Sequence, residues 1–192
     1  MPTGRISVWR GAVCAALCIT APAGAGPIAT IESGAGVALP AGTAVLDIRD
    51  EESCLASSPP GARCLPAEQM LTGADGAPIG FHALRWALGT LGLTGAETLV
   101  IYQGDTVAPE DARAAAALVY LAGQAEVLVH AGPALETDVG GDGRAPWREV
   151  VYTAPMRTGE MTIAAAPAGS LRDRLSDFAT GGGSVAFAAP GS

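Results

Sequence analysis

The stretch Thr98–Gly123, TLVIYQGDTVAPEDARAAAALVYLAG, decides the fold. It opens on the apolar run Leu99, Val100, Ile101 and Tyr102, rich in residues that suit a strand covered on both faces of a parallel sheet. A polar loop, Gln103 to Ala108, follows. Pro109 stands where a first helical turn tolerates it, and Glu110 and Asp111 behind it favour the positive end of the helix dipole. Leu118, Val119 and Leu121 supply an apolar face, and Gly123 stops the helix. Strand, tight loop and helix N-terminus together bring backbone N–H groups around one point, where α/β sheets hold anions or substrates. The loop residues Gln103, Gly104, Asp105, Thr106, Val107 and Ala108 are therefore the candidate site.

On either side of this stretch, strand and helix signals alternate. Ile28–Ile31 is a weak strand before a Gly/Ala-rich linker, and Ala44–Ile48 is a buried strand leading to Arg49 and Asp50. Residues 50–55 start a short helix, Ser58-Pro59-Pro60-Gly61-Ala62 is turn chemistry, and residues 63–66 make a brief edge strand. After a loop over residues 72–78, Phe81, Leu84, Trp86, Leu88 and Leu91 recur at helical spacing until Gly92. Residues 126–129 form another strand, reaching His130-Ala131-Gly132. The pattern predicts an α/β protein with a central parallel sheet flanked by helices over residues 26–136. A linker and C-terminal extension occupy residues 137–192.

The extension starts with a flexible Thr137–Pro146. Glu149–Tyr152 and Met161–Ala165 read as strands. Ser170 is a suitable N-cap for a helix through Leu171, Leu175 and Phe178, which Gly181-Gly182-Gly183 ends; Val185–Ala188 follows as a last strand. This is either a rudimentary half-domain or an arm wrapped on the first domain.

Charge narrows the partners. Nineteen acidic residues face 11 Arg and no Lys, a net −8, so the chain has no basic face for a phosphate backbone and nucleic acid is excluded as an expected partner. At the N-terminus, Arg5 and Arg10 precede the apolar Gly11–Thr20, and Ala23-Gly24-Ala25 offers small residues for cleavage. Residues 1–25 thus read as a signal peptide too short to span a bilayer. The expected location is periplasmic or secreted, with no stable membrane insertion after cleavage. Export leaves nine Arg against 19 acidic residues, a net −10.

Export also governs the cysteines. Cys14 and Cys18 leave with the signal peptide, and Cys54 and Cys64 remain. In an oxidising compartment two cysteines pair, and closing so small a loop is worth roughly 2–3 kcal/mol. The alternative is a redox-active or sulfur-carrying thiol, although neither cysteine opens a helix as reactive ones often do. With His82 and His130 they are too few for a zinc site, and Asp138 and Asp142 lack the ligand spacing of a calcium loop. Neither metal nor cofactor is expected.

LDIRDEES, then SPPGA, FHALRWALGTLGLTGAETLVIYQGD, ARAAAALVYLAG and VLVHAG together resemble the rhodanese-homology domain over about residues 41–135. The resemblance implies a small parallel α/β domain whose active loop joins the central strand to a helix. Active rhodaneses carry sulfur on a cysteine directly after that strand; here the position is Gln103. The chemistry needs a thiolate, held by N–H groups and the helix dipole, and an amide is no nucleophile. Asp105, Glu110 and Asp111 would also repel thiosulfate. YQGDTVAPEDARAAA resembles instead the cysteine-free domain of tandem rhodaneses, a structural or partner-facing half.

The resemblance thus implies a module without a catalytic residue. It would bind a protein partner or a small anion, in sulfur metabolism or the periplasm, through Gln103–Ala108 with Arg49, Arg113 and His130 nearby. The competing reading is a sulfurtransferase or thiol-redox enzyme that uses Cys54 or Cys64. Simpler roles are also open to these side chains. Asp47 and Arg49 suit an ion pair closing a strand end, and Arg113 suits pairing with Asp50 or Asp105. His82 reads as half-buried packing beside Phe81 and Leu84, and His130 as a turn residue after the last strand.

Overall fold

The computed structural model describes residues 26–32, 39, 42–72, 78–131, 139–143 and 149–189. The expected signal peptide, the linker over residues 33–38, Gly132 and Asp138 lie outside them.

Strand β4 (Thr98–Tyr102) is the middle of a five-stranded parallel sheet. Its neighbours are β5 (Glu126–Ala131) and β2 (Ala44–Asp47), with β1 (Ala29–Glu32) and β3 (Arg63–Cys64) at the edges, in the order β1-β5-β4-β2-β3. The register sets Leu46 beside Ile101 and Ile101 beside Val129, so one apolar row crosses the sheet. Leu99, Val100 and Ile101 are fully buried, each side chain contributing about 1.5–3 kcal/mol of hydrophobic stabilisation. The apolar run at the start of the organising stretch is therefore the core strand.

Helix α1 (Glu51–Ala56) starts from Asp50, whose carboxylate accepts the Ser53 N–H at 2.8 Å. Helix α2 (Ala67–Leu71) has no counterpart in the sequence reading. It has no side-chain cap and is too short for a helical period to show; burial of Ala67, Met70 and Leu71 holds it. Helix α3 (Phe81–Thr90) buries Leu84 and Leu88, whereas Trp86 is 57% exposed. Two residues past Leu84 is about 200° around a helix, so Trp86 turns away from the apolar face.

Helix α4 (Pro109–Leu121) begins on Pro109 and buries Ala112, Ala114 to Val119 and Leu121, most of its circumference. A helix apolar all round is covered on every side. The outer cover is α5 (Leu171–Gly181), in the C-terminal extension. Ser170 and Asp173 form a reciprocal capping box there, and Gly182, at φ +69°, ends the helix as expected. Tyr120 and Phe178 pack across the two helices with ring centroids 6.1 Å apart. Strands β6 (Met161–Ala164) and β7 (Val185–Ala188) pair in parallel around α5, and Phe187 meets Phe81 of α3 at 5.5 Å. The extension is thus a βαβ arm laid on the first domain.

One expected strand is absent. Residues 149–152 follow an irregular path even though Val150, Val151 and Tyr152 suit a strand. Arg85 of α3 donates Nη2 to the Tyr152 carbonyl at 3.1 Å and Nη1 to those of Ala154 and Ala122. Val150 N–H donates to the Gly89 carbonyl at 3.0 Å. A guanidinium and a helix end take the polar groups that a neighbouring strand would have used.

Candidate functional site

β4 delivers Gln103 to the carboxyl end of the sheet, and the chain turns at once. Gly104 has φ +55°, and a Cβ there would lie 2.6 Å from Arg49 Cδ. Glycine is required on both counts, because the Arg49 stem lies across the turn. The Arg49 guanidinium is engaged with Asp47: Nη2 donates to Oδ2 at 2.6 Å and Nε to Oδ1 at 3.1 Å. Asp47 is fully buried and also accepts from Arg49 N–H at 3.0 Å and from the Ser58 hydroxyl. Arg49 further donates to the Ser57 carbonyl and stacks over the Tyr102 ring, 5.2 Å from its centroid. The expected ion pair is present. It ties strand end, turn and loop together and commits Arg49 to Asp47.

The second half of the loop edges an open cleft of about 860 Å³. Val107 and Ala108 give it apolar surface together with Ile48, Pro66 and Ala67, while Thr106 lies at the edge. Asp50, Glu51, Glu68 and Asp111 also line it, and no arginine among the described residues does. Burial-free Asp50 is held below the usual carboxylate range by the Ser53 hydroxyl and N–H. Asp111 meets Arg172 of α5 at 3.0 Å. Gln103, Gly104 and Asp105 do not line this cleft, so the amide at the sulfur-carrying position lies apart from it.

Cys54 and Cys64 form a disulfide joining α1 to β3, with 5.8 Å between Cα atoms. Cys54 is fully buried and Cys64 is 5% exposed. Residues 139–143 cross above the bridge: Gly141 N–H donates to the Cys54 carbonyl at 2.8 Å, and Cys64 N–H to the Asp142 carbonyl at 3.0 Å. A Cβ on Gly141 would lie 2.6 Å from Cys54 Sγ and 2.8 Å from Cys64 Sγ, so only glycine lets the backbone rest on the sulfurs. Asp142 makes a salt bridge with Arg63 at 2.8 Å. A hollow of about 330 Å³, which shares Glu51, Pro66 and Gln69 with the larger cleft, reaches Cys64.

No known family model, curated protein or solved structure matches this chain.

Three candidate side chains sit elsewhere than expected. Arg113 points away from the loop, donating Nε to Ser176 Oγ of α5 at 3.0 Å; neither Asp50 nor Asp105 is its partner. His82 is exposed, at the solvent side of α3. His130 lies inside β5, which runs two residues further than the apolar pattern implied, so it is buried in the sheet and not on the loop rim. Among the described residues its Nε2 has no hydrogen-bond partner, and its ring lies 5.9 Å from that of Tyr102. Arg113 could not be placed without knowing that α5 covers α4.

Burial holds the His130 imidazole below its ordinary pKa of 6.5. The unfolded chain therefore takes up a proton before the folded one as pH falls. Stability present above about pH 6.5 is lost progressively below it, at up to about 1.4 kcal/mol per pH unit, until the folded state also protonates. Urea unfolding at pH 7.5 and 5.0 is expected to show this loss, and His130→Phe to remove most of it. An unchanged pH slope in the variant would clear His130 of the effect.

Among the described residues, no helix is long and apolar enough to cross a membrane. No group of three or more His, Cys, Asp or Glu residues among them is arranged to hold a metal ion.

Proposed function

We propose that this chain is an exported, rhodanese-like binding module that engages a partner through the Gln103–Ala108 loop and the cleft beside it, without transferring sulfur. One observation carries the reading. The residue that follows the central strand is an amide, Gln103, and both remaining cysteines are tied to each other between α1 and β3. The strand-loop-helix frame that the resemblance calls for is present, and the nucleophile is not. Asp47, Arg49 and Gly104 fix the loop from beneath, so the frame has a built foundation even without chemistry above it.

Thiosulfate:cyanide sulfurtransferase assay with thiol titration tests the proposal. The expected result is no turnover and no titratable Cys54 or Cys64 under native conditions. A persulfide on either cysteine would overturn it in favour of an enzyme. Gln103→Cys is expected to take up sulfur only weakly, seen as a substoichiometric mass increase of one sulfur atom. Asp105 and Glu110 still repel thiosulfate from that end of α4. Stoichiometric loading with turnover would show that the acidic surroundings do not matter.

A further inference from the structure

We infer that the cleft between α2 and the α4 loop takes a cationic, partly apolar peptide segment of a partner protein, not an anion. The inference rests on the binding-module reading and specifies its partner. The surface is drawn from three separate stretches: Ile48, Asp50 and Glu51 after β2, Pro66 to Gln69 with Thr72 around α2, and Thr106 to Ala108 with Asp111. About 860 Å³ is within the range of ligand sites, and the half-buried apolar surface of Pro66, Val107 and Ala108 can receive a small apolar side chain.

Charge decides what accompanies that side chain. Asp111 is neutralised by Arg172, and Asp50 is spent on capping α1. Glu51 and Glu68 are exposed and have no ion-pair partner among the described residues. An anion in the cleft would face both at once, with no arginine among the described lining residues to hold it. An arginine or lysine flanking the apolar anchor would meet them instead. The net negative charge, −8 for the whole chain and −10 without residues 1–25, adds long-range attraction for such a segment.

The test uses amide NMR on the ¹⁵N-labelled protein, titrated separately with Ac-Gly-Arg-Leu-Arg-Gly-NH₂, its Glu counterpart Ac-Gly-Glu-Leu-Glu-Gly-NH₂, and thiosulfate. The basic peptide is expected to shift the amides of residues 48–51, 67–72 and 106–111, with binding that weakens as salt rises. Glu51→Gln/Glu68→Gln is expected to weaken it about five- to tenfold, since each exposed ion pair is worth a factor of about two to five. Both substitutions are at the surface, and an unchanged spectrum outside the cleft reports an intact fold. If the acidic peptide or thiosulfate shifts the same amides equally well, the cationic assignment is overturned while the binding module stands. If none of the three shifts them, the module's use of this cleft is overturned as well.

Discussion

The double variant Cys54→Ala/Cys64→Ala is expected to unfold about 3 kcal/mol more easily than the parent, a fall in Tm of roughly 6–12 °C. The bridge spans a sequence separation of 10, a short loop whose closure alone accounts for most of that figure in the chain-entropy account. Packing adds to it. Gly141 rests directly on the two sulfurs, and Ser58 Oγ lies 3.3 Å from Cys54 Sγ, so alanines leave a void beneath residues 139–143. The loss should therefore be local as well as global, with the amides of Gly141 and Asp142 losing hydrogen-exchange protection before those of β4. Calorimetry and hydrogen exchange on the double variant measure both parts; a single substitution would leave an odd thiol free to form dimers. A Tm within a degree or two of the parent would mean that the backbone pairing of residues 139–143 holds α1 to β3 without the sulfurs.

How legible this molecule was depends on whether a feature is local. The run Leu99–Tyr102, Pro109 and Gly123 carry their own signals, so β4 and α4 could be read directly from the chain, as could the Ser170 cap and Val185–Ala188. The ion pair of Asp47 with Arg49 was readable for the same reason, being two residues apart. The cleft was not. One wall is α2, whose burial comes from distant residues and whose sequence offers neither cap nor period. His130 failed by a different route: the strand continued past its apolar run because β1 pairs Ile31 with His130 and Glu32 with Ala131, a constraint set by a segment about 100 residues away. Val150 to Tyr152 had strand propensity, and Arg85 overrode it. Arg113 is the plainest case, since only the arm's docking supplies Ser176.

Arg49→Leu should cost about 3–5 kcal/mol, because it leaves the Asp47 carboxylate buried with no cation. Ser58 Oγ and the residue-49 N–H would remain as donors, but neither carries charge. Asp47→Asn removes the charge and keeps a polar group of the same shape, so it should cost less, about 1–2 kcal/mol. The double variant should then be more stable than the sum of the two, with a coupling of about 1–3 kcal/mol. The coupling separates an ionic role from packing alone. Urea unfolding of the two single variants and the double variant measures it, and a coupling near zero would reduce Arg49 to a packing residue. The loop should respond too. The Arg49 stem lies against Gly104, so its loss should shift the amides of Gln103 to Val107 while those of α5 stay in place.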